Sequence, residues 1–227
     1  MKALVVIPAR GGSKGIPKKN IKPLNGKPLI SYTIESALQL FSKEDICIST
    51  DCDDIAFESE KSGLDIHFKR PTELATDTAG THEVLLHAIN FYEEKGNFYD
   101  TLVLLQPTSP FRKSKHIKEA LELYNSDVDM VVSVKESKSN PYYNLFEEEQ
   151  GLLKKSKDGH YTRRQDIPKV YEYNGAIYII NIRSLKKGKI SAFNKVKKYV
   201  MDEISSMDLD NHLDWKICEL LIKDEIN

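Results

Sequence analysis

Ala3-Leu4-Val5-Val6-Ile7-Pro8-Ala9-Arg10-Gly11-Gly12-Ser13-Lys14-Gly15-Ile16-Pro17-Lys18-Lys19-Asn20 is the stretch whose reading decides the fold. Its first part, Ala3 to Ile7, is short, apolar and β-branched, the pattern of a strand buried on both faces. The rest is a basic turn. Three glycines let the backbone turn tightly and approach a ligand closely. Arg10, Lys14, Lys18 and Lys19 add positive charge, and the backbone N–H groups of such a turn form an anion nest. Seven basic residues and no acidic one precede Glu35. That local imbalance points to a polyanion, most simply a triphosphate. The order is neither G-x-x-x-x-G-K-[ST] nor G-x-G-x-x-G. A solvated basic turn is the alternative, and the strand-loop-helix context weighs against it.

Length and composition bound the rest. The 227 residues suit a single domain spanning 1–227, with room for a small excursion. A net charge of -1 gives no overall reason for nucleic acid or an anionic membrane as partner. No apolar run approaches the roughly 20 residues of a membrane span, and the N-terminus shows no convincing signal peptide. Cys47, Cys52 and Cys218 are odd in number and lack metal-ligand spacing, so free thiols in a reducing cytoplasm are expected.

Ile30, Ile34, Ala37, Leu38 and Phe41 repeat at helical spacing, with Pro28 expected in the first turn. Asp45–Thr50 reads as a second strand, 51–62 as a helix ending at Gly63, and Asp65–Phe68 as a third strand. That β-α-β-α-β order predicts parallel strands with right-handed crossovers. Thr81 is expected to cap a helix carrying Leu85, Ala88, Ile89 and Tyr92. Thr101–Leu105 reads as a central strand, followed by Gln106-Pro107-Thr108-Ser109-Pro110-Phe111-Arg112. A glutamine there presents both a donor and an acceptor, or simply bonds loop backbone. Further helix and strand patterns follow at 117–124 and 129–134.

From Lys135 to Tyr173 the chain turns polar and holds too few apolar residues for a core, so a protruding β-rich excursion is expected. Asn174–Ile180 returns to strand character, with Ala176, Tyr178 and Ile180 expected on one face. A late strand is expected at 198–201. In Met207-Asp208-Leu209-Asp210, an extended backbone puts both carboxylates on one side. Hard oxygen ligands of that kind suit Mg²⁺, completed by phosphate oxygens and water. Helix capping or surface charge is the alternative for an isolated Asp-x-Asp. His212 is expected to be a bystander, and no zinc-like ligand spacing is present.

Five motifs together resemble the acylneuraminate cytidylyltransferases, the CMP-sialic acid synthetases. They are Arg10 to Gly15 with Lys19-Asn20, Arg70 to Asp77, Leu104 to Arg112, Asn174 to Tyr178, and Asp208-x-Asp210-x-x-x-Asp214. The resemblance implies an α/β, Rossmann-like three-layer sandwich with a mostly parallel sheet, and a β-rich dimerisation insertion over 135–173. It implies transfer of CMP from CTP to the anomeric hydroxyl of a nine-carbon α-keto acid sugar, releasing pyrophosphate. Arg10, Lys14 and Lys19 would offset triphosphate charge, over a loop contributed by Gly11, Gly12 and Ser13. Asn20 and Arg70 would hold the nucleoside, and Gln106, Asn174 and Tyr178 the sugar.

Asp208 and Asp210 would hold Mg²⁺, with Mn²⁺ as a substitute, and Asp210 is the first choice to take the hydroxyl proton. Arg164 would reach the neighbouring subunit's site in a homodimer. Glu172-Tyr173 stands where neuraminate-activating members commonly carry arginine and proline, so a related acid such as legionaminate enters consideration. The rival readings are a cytidylyltransferase for the eight-carbon keto acid, a glycosyltransferase and a non-catalytic CTP sensor.

Overall fold

Strand β1 (Ala3–Pro8) buries side chains on both faces, Val5 and Ile7 toward one helical layer and Leu4 and Val6 toward the other. Its neighbours β2 (Ile46–Ser49) and β3 (Thr101–Leu105) run parallel to it. The computed structural model describes residues 2–226. Beyond β3 lie β4 (Met130–Glu136), a hairpin of β5 (Phe146–Glu149) and β6 (Leu152–Lys155), then β7 (Tyr171–Asn181) and β8 (Val196–Val200). The main sheet has the order β8-β4-β7-β3-β1-β2, with β7 antiparallel to both neighbours. The five other strands point one way, so their carboxyl ends gather at one edge, where ligands of such sheets bind.

The helices are α1 (Leu29–Leu38), α2 (Asp53–Lys61), α3 (Thr81–Glu94), α4 (Ser114–Leu123), α5 (Ile182–Lys187) and α6 (His212–Ile226). α1, α2 and α4 cover the Val5 and Ile7 face through residues such as Ile34, Ile55 and Ile117. α3 and α5 cover the other face through Leu85, Ile89 and Leu185. A third cluster joins Trp215, Cys218 and Ile222 of α6 to Ile16, Leu29, Phe111 and Leu209. This small core packs the last helix beside the basic turn.

The third strand expected at 65–68 does not form. Phe68 packs instead on the rings of His87 and Phe91 in α3, and the Arg70 N–H returns to the Thr50 carbonyl at 2.7 Å. Apolar side chains there find cover without a ladder. Pro28 precedes α1, in a two-residue ribbon with Pro23-Leu24, and Thr81 is the first helical residue after Gly80 rather than the cap. Ala176 joins Ile177 and Ile179 in one cluster, whereas Tyr178 and Ile180 face the other. The cause is a bulge: two steps along β4, Val132 to Val134, face five along β7, Tyr178 to Tyr173. Gly175 sits in that bulge with φ +76°, a conformation costly for side chains with a Cβ.

The polar excursion is shorter than 135–173, because Lys135 and Glu136 pair with Glu172 and Tyr171 in the main sheet. Strands β5 and β6 pair with each other and are exposed throughout. Among the described residues, no helix is long and apolar enough to cross a membrane. All three cysteines are unpaired, with Cys47 and Cys218 buried.

Candidate active site

The basic turn after β1 is held from within and from below. The Gly11 N–H donates to Asp51 Oδ1 at 2.9 Å, and Asn20 Nδ2 donates to the Arg10 carbonyl at 3.0 Å. A cleft of about 280 Å³ opens at this edge. Arg10, Gly12, Ser13, Lys19, Asn20, Arg70 and Gln106 line it, with Thr108 beside them. Gly11 and Lys14 stand outside that lining. Arg70 is buried, donating from Nε to Ser49 Oγ at 3.0 Å and from Nη2 to the Ser49 carbonyl. Burial lowers its pKa from the ordinary arginine value, and the nearby Asp51 carboxylate opposes that shift.

Arg10 and Lys14 share one partner. Asp77 lies 2.8 Å from Arg10 Nη1 and 2.9 Å from Lys14 Nζ. The hydrogen bond from Lys14, reinforced by that from Arg10, holds the Asp77 carboxyl below its ordinary pKa. Thus two of the three cations expected to meet a triphosphate are already occupied by a carboxylate.

Lys19 does something else. Only 13% exposed, it donates to the Leu209 carbonyl at 2.6 Å and lies 3.4 Å from Asp210 Oδ1. The two segments also touch through backbone. A Cβ built on Gly15 would stand 2.2 Å from the Asp210 carbonyl oxygen, so any larger residue would push them apart. Met207 and Leu209 face the α6 core, which leaves Asp208 and Asp210 on the open side.

Asp208 is open to solvent on one side and closely walled on the others. Desolvation by those walls raises its carboxyl above the ordinary value. The Thr108 hydroxyl bond and Lys19 oppose the rise, and Asp210 adds to it. Two neighbouring carboxylates whose charges repel are a fitting pair for a divalent cation. Among the described residues no group of three His, Cys, Asp or Glu is placed to hold a metal, so phosphate oxygens and water would complete a Mg²⁺ shell. Asp214 is committed elsewhere. It accepts from the N–H groups of Asp210 and Asn211, while Asn211 Oδ1 accepts from those of Leu213 and Asp214. That reciprocal cap starts α6, with His212 as its first helical residue.

Of the residues expected to hold the sugar, Tyr178 is walled in, and burial first, then the Asp208 charge and Tyr173, raise its hydroxyl pKa. Tyr173 meets the Tyr178 ring edge-on, at 6.2 Å between centroids. Asn174 is not available to a ligand in this structure. It is 4% exposed, its amide donates to Ser206 Oγ at 2.9 Å and Met201 Sδ at 3.4 Å, and its carbonyl accepts from Ser133 Oγ and the Ala176 N–H. In this structure the Asn174 side chain shapes the bulge. The side chain of Arg164 lies outside the described residues.

Four residues of the site escaped the sequence reading as individuals. Asp51 follows the second strand and holds Gly11. Asp77 closes the Arg70-Pro71 motif. Thr108 and Arg112 sit within the Gln106 turn, and the Thr108 carbonyl accepts from the Leu209 N–H at 2.9 Å. The last three lay inside motifs already singled out, where only three-dimensional contact separates binding from support.

The cytidylyltransferase family matches residues 4–223. The N-acylneuraminate cytidylyltransferase of Streptococcus agalactiae serotype V is 40% identical over 220 residues, which are 95% of this chain and 52% of that protein. This chain thus spans about half the length of that relative. The CMP-N,N'-diacetyllegionaminic acid synthase of Legionella pneumophila is 35% identical over 230 residues, covering 98% of this chain and 97% of the relative. The solved structure of a CMP:2-keto-3-deoxy-manno-octonic acid synthetase complexed with CTP superposes with a TM-score of 0.73 at 16% identity, covering 99% of this chain and 100% of that one. At that identity it speaks for the fold.

Asp77→Asn removes the internal counter-charge from Arg10 and Lys14. Because such exposed pairs are weak, inorganic triphosphate should bind roughly two- to fivefold tighter to the variant. Calorimetric titration at fixed ionic strength checks this, and weaker binding would show that Asp77 orients the cations rather than competing for them.

Proposed function

The chain belongs to the cytidylyltransferase family, and on that premise we propose that it transfers CMP from CTP to a nine-carbon α-keto acid sugar. N-Acetylneuraminate and legionaminate are the acids to compare, since enzymes named for both types align along nearly the whole chain. The single observation that carries the reading is the junction of the basic turn with the carboxylate pair, made by Lys19 and Gly15. It brings a triphosphate-sized group of cations beside two carboxylates at the carboxyl edge of the sheet.

In the proposed reaction the anomeric hydroxyl oxygen attacks the α-phosphorus in line, and the bond to the bridging oxygen breaks. Pyrophosphate leaves with that electron pair. Arg10 and Lys14 exchange Asp77 for the triphosphate and offset the charge that grows on the leaving group. Ser13 and the backbone N–H groups around Gly12 support the same phosphates. Arg70 and Asn20 flank the nucleoside, while Gln106 and Tyr178 flank the sugar. Asp210, 73% exposed, takes the hydroxyl proton. Mg²⁺, or Mn²⁺ in its place, held by Asp208 and Asp210, would supply charge neutralisation at the α-phosphate.

We also propose a homodimer built on the β5–β6 hairpin. Leu152 and Leu153 are each 74% exposed there, beside exposed Leu145 and Phe146, and these apolar side chains have no core of their own in an otherwise charged arm. Arg164 lies in the same excursion, which is how it would come to a neighbour's site. Unpaired cysteines fit a reducing cytoplasm.

Pyrophosphate release from CTP and Mg²⁺ tests the reaction with N-acetylneuraminate, legionaminate, pseudaminate and the eight-carbon keto acid. Release with a nine-carbon acid is expected, and Asp210→Asn should lose roughly 100-fold in turnover. Folded protein that binds CTP but turns over none of the acids would instead be a sensor. Sedimentation at micromolar concentration should show a dimer, dissociated by Leu152→Asp with Leu153→Asp; a monomeric wild type would remove the arm's role.

A further inference from the structure

Strands β3 and β7 pair regularly from Thr101↔Asn181 to Leu105↔Ile177. The next partners in that register would be Gln106 and Ala176, and there the ladder stops. Both carbonyls turn instead to one side chain. Arg112 Nη1 donates to the Gln106 carbonyl at 2.8 Å and to the Ala176 carbonyl at 2.9 Å. Its Nη2 donates to Thr33 Oγ1 in α1 at 2.5 Å. Three separate segments therefore meet on one guanidinium.

This arrangement is expensive. Arg112 is 2% exposed, no carboxylate among the described residues pairs with it, and its Nε has no hydrogen-bond partner. Burial alone pushes its pKa down to about 9. A buried charge without a counter-ion opposes stability, and an apolar side chain of similar volume is often the more stable choice. An apolar residue would, however, take this bond from the Ala176 carbonyl and leave the Gln106 carbonyl only the Thr33 hydroxyl at 3.4 Å, whereas the planar guanidinium serves both at once.

The two places it joins carry the site. Gln106 lines the cleft. Ala176 follows Gly175, where an added Cβ would stand 3.9 Å from Asp208 Oδ2, so the bulge abuts the carboxylate pair. We infer that Arg112 is a positioning residue: in place of the β3–β7 ladder, it fixes the separation between the Gln106 turn and the Gly175–Ala176 bulge, and so aligns the sugar acid with the carboxylate pair. The inference rests on the proposed cytidylyl transfer. It assigns to the end of the Leu104–Arg112 motif a duty toward the acceptor rather than toward CTP.

The test compares Arg112→Met and Thr33→Val with wild type, after thermal unfolding shows each to be folded at the assay temperature. Misplacing an acceptor by about 1 Å costs on the order of 100-fold, so Arg112→Met should lose roughly that factor in kcat. Its directly titrated Kd for CTP should stay within about threefold of wild type, since Arg112 lies outside the lining of the nucleotide cleft. Thr33→Val, which frees Nη2 and removes the 3.4 Å bond from the Thr33 hydroxyl to the Gln106 carbonyl but leaves both Nη1 bonds in place, should lose less in the same direction.

A merely structural residue would not change the effect of Gln106→Ala. Here that substitution should cost much in wild type and little more in Arg112→Met, because the turn is already displaced. Turnover near wild type in either folded variant, or losses that simply multiply, would overturn the inference. Hydrogen exchange over residues 174–178 reads it without turnover, and must quicken in Arg112→Met; if that variant does not fold, Thr33→Val decides by the same two readouts. A wild type that releases no pyrophosphate, with exchange quickened in the variant, would count against the proposed reaction and not against the strut.

Discussion

Lys19 and Leu209 lie 190 residues apart, and the hydrogen bond between them is what makes one site of two segments. The turn after β1 brings cations and backbone donors. The segment before α6 brings two carboxylates. Each alone is an ordinary surface feature, a basic loop or an acidic pair before a helix cap. Gly15 permits the backbones to meet, and the Ile16, Leu209 and Trp215 cluster packs beneath them. Apolar burial thus supplies the cohesion of the junction, while the lysine sets its register. A partly buried ammonium bonded to a carbonyl and near a carboxylate is directional in a way that packing is not.

The second part of the site is organised by polar groups that have given up contact with water. Ser133, Asn174 and Ser206 bond one another inside the bulge of β7, and Arg112 closes the gap where β7 leaves β3. Buried polar groups are costly unless fully paired, so they tolerate few alternative geometries. An antiparallel strand in a parallel sheet also contributes. It presents its amino end at the edge where the five others present their carboxyl ends, and thereby sets Tyr178 beside Asp208.

Much of this was legible in the residues. The β1 strand, the alternation of Asp208 and Asp210 with Met207 and Leu209, and the return to a strand at Asn174 all follow from periodicity. The segment at 65–68 misled because its apolar residues satisfy a strand pattern while packing on α3 as a loop; aromatic contacts won over pairing. The bulge misled for another reason. Period-two reasoning assumes an uninterrupted ladder, and nothing local distinguishes Gly175 as an inserted turn from glycine in a plain strand. The roles of Asn174, Asp77 and Arg112 depend on partners as far as 79 positions away, which one sequence does not reveal. Motif membership located these residues, and contact alone sorted ligand from support.

The most direct test of the account is the binding of CTP to Lys19→Met, titrated with and without Mg²⁺. If Lys19 acts by holding the Leu209–Asp210 segment, CTP binding in the absence of metal should survive the substitution. The gain in affinity that Mg²⁺ confers on the wild type should be lost. The opposite pattern, with metal-free binding abolished and the Mg²⁺ increment intact, would contradict the account and place Lys19 on the triphosphate itself.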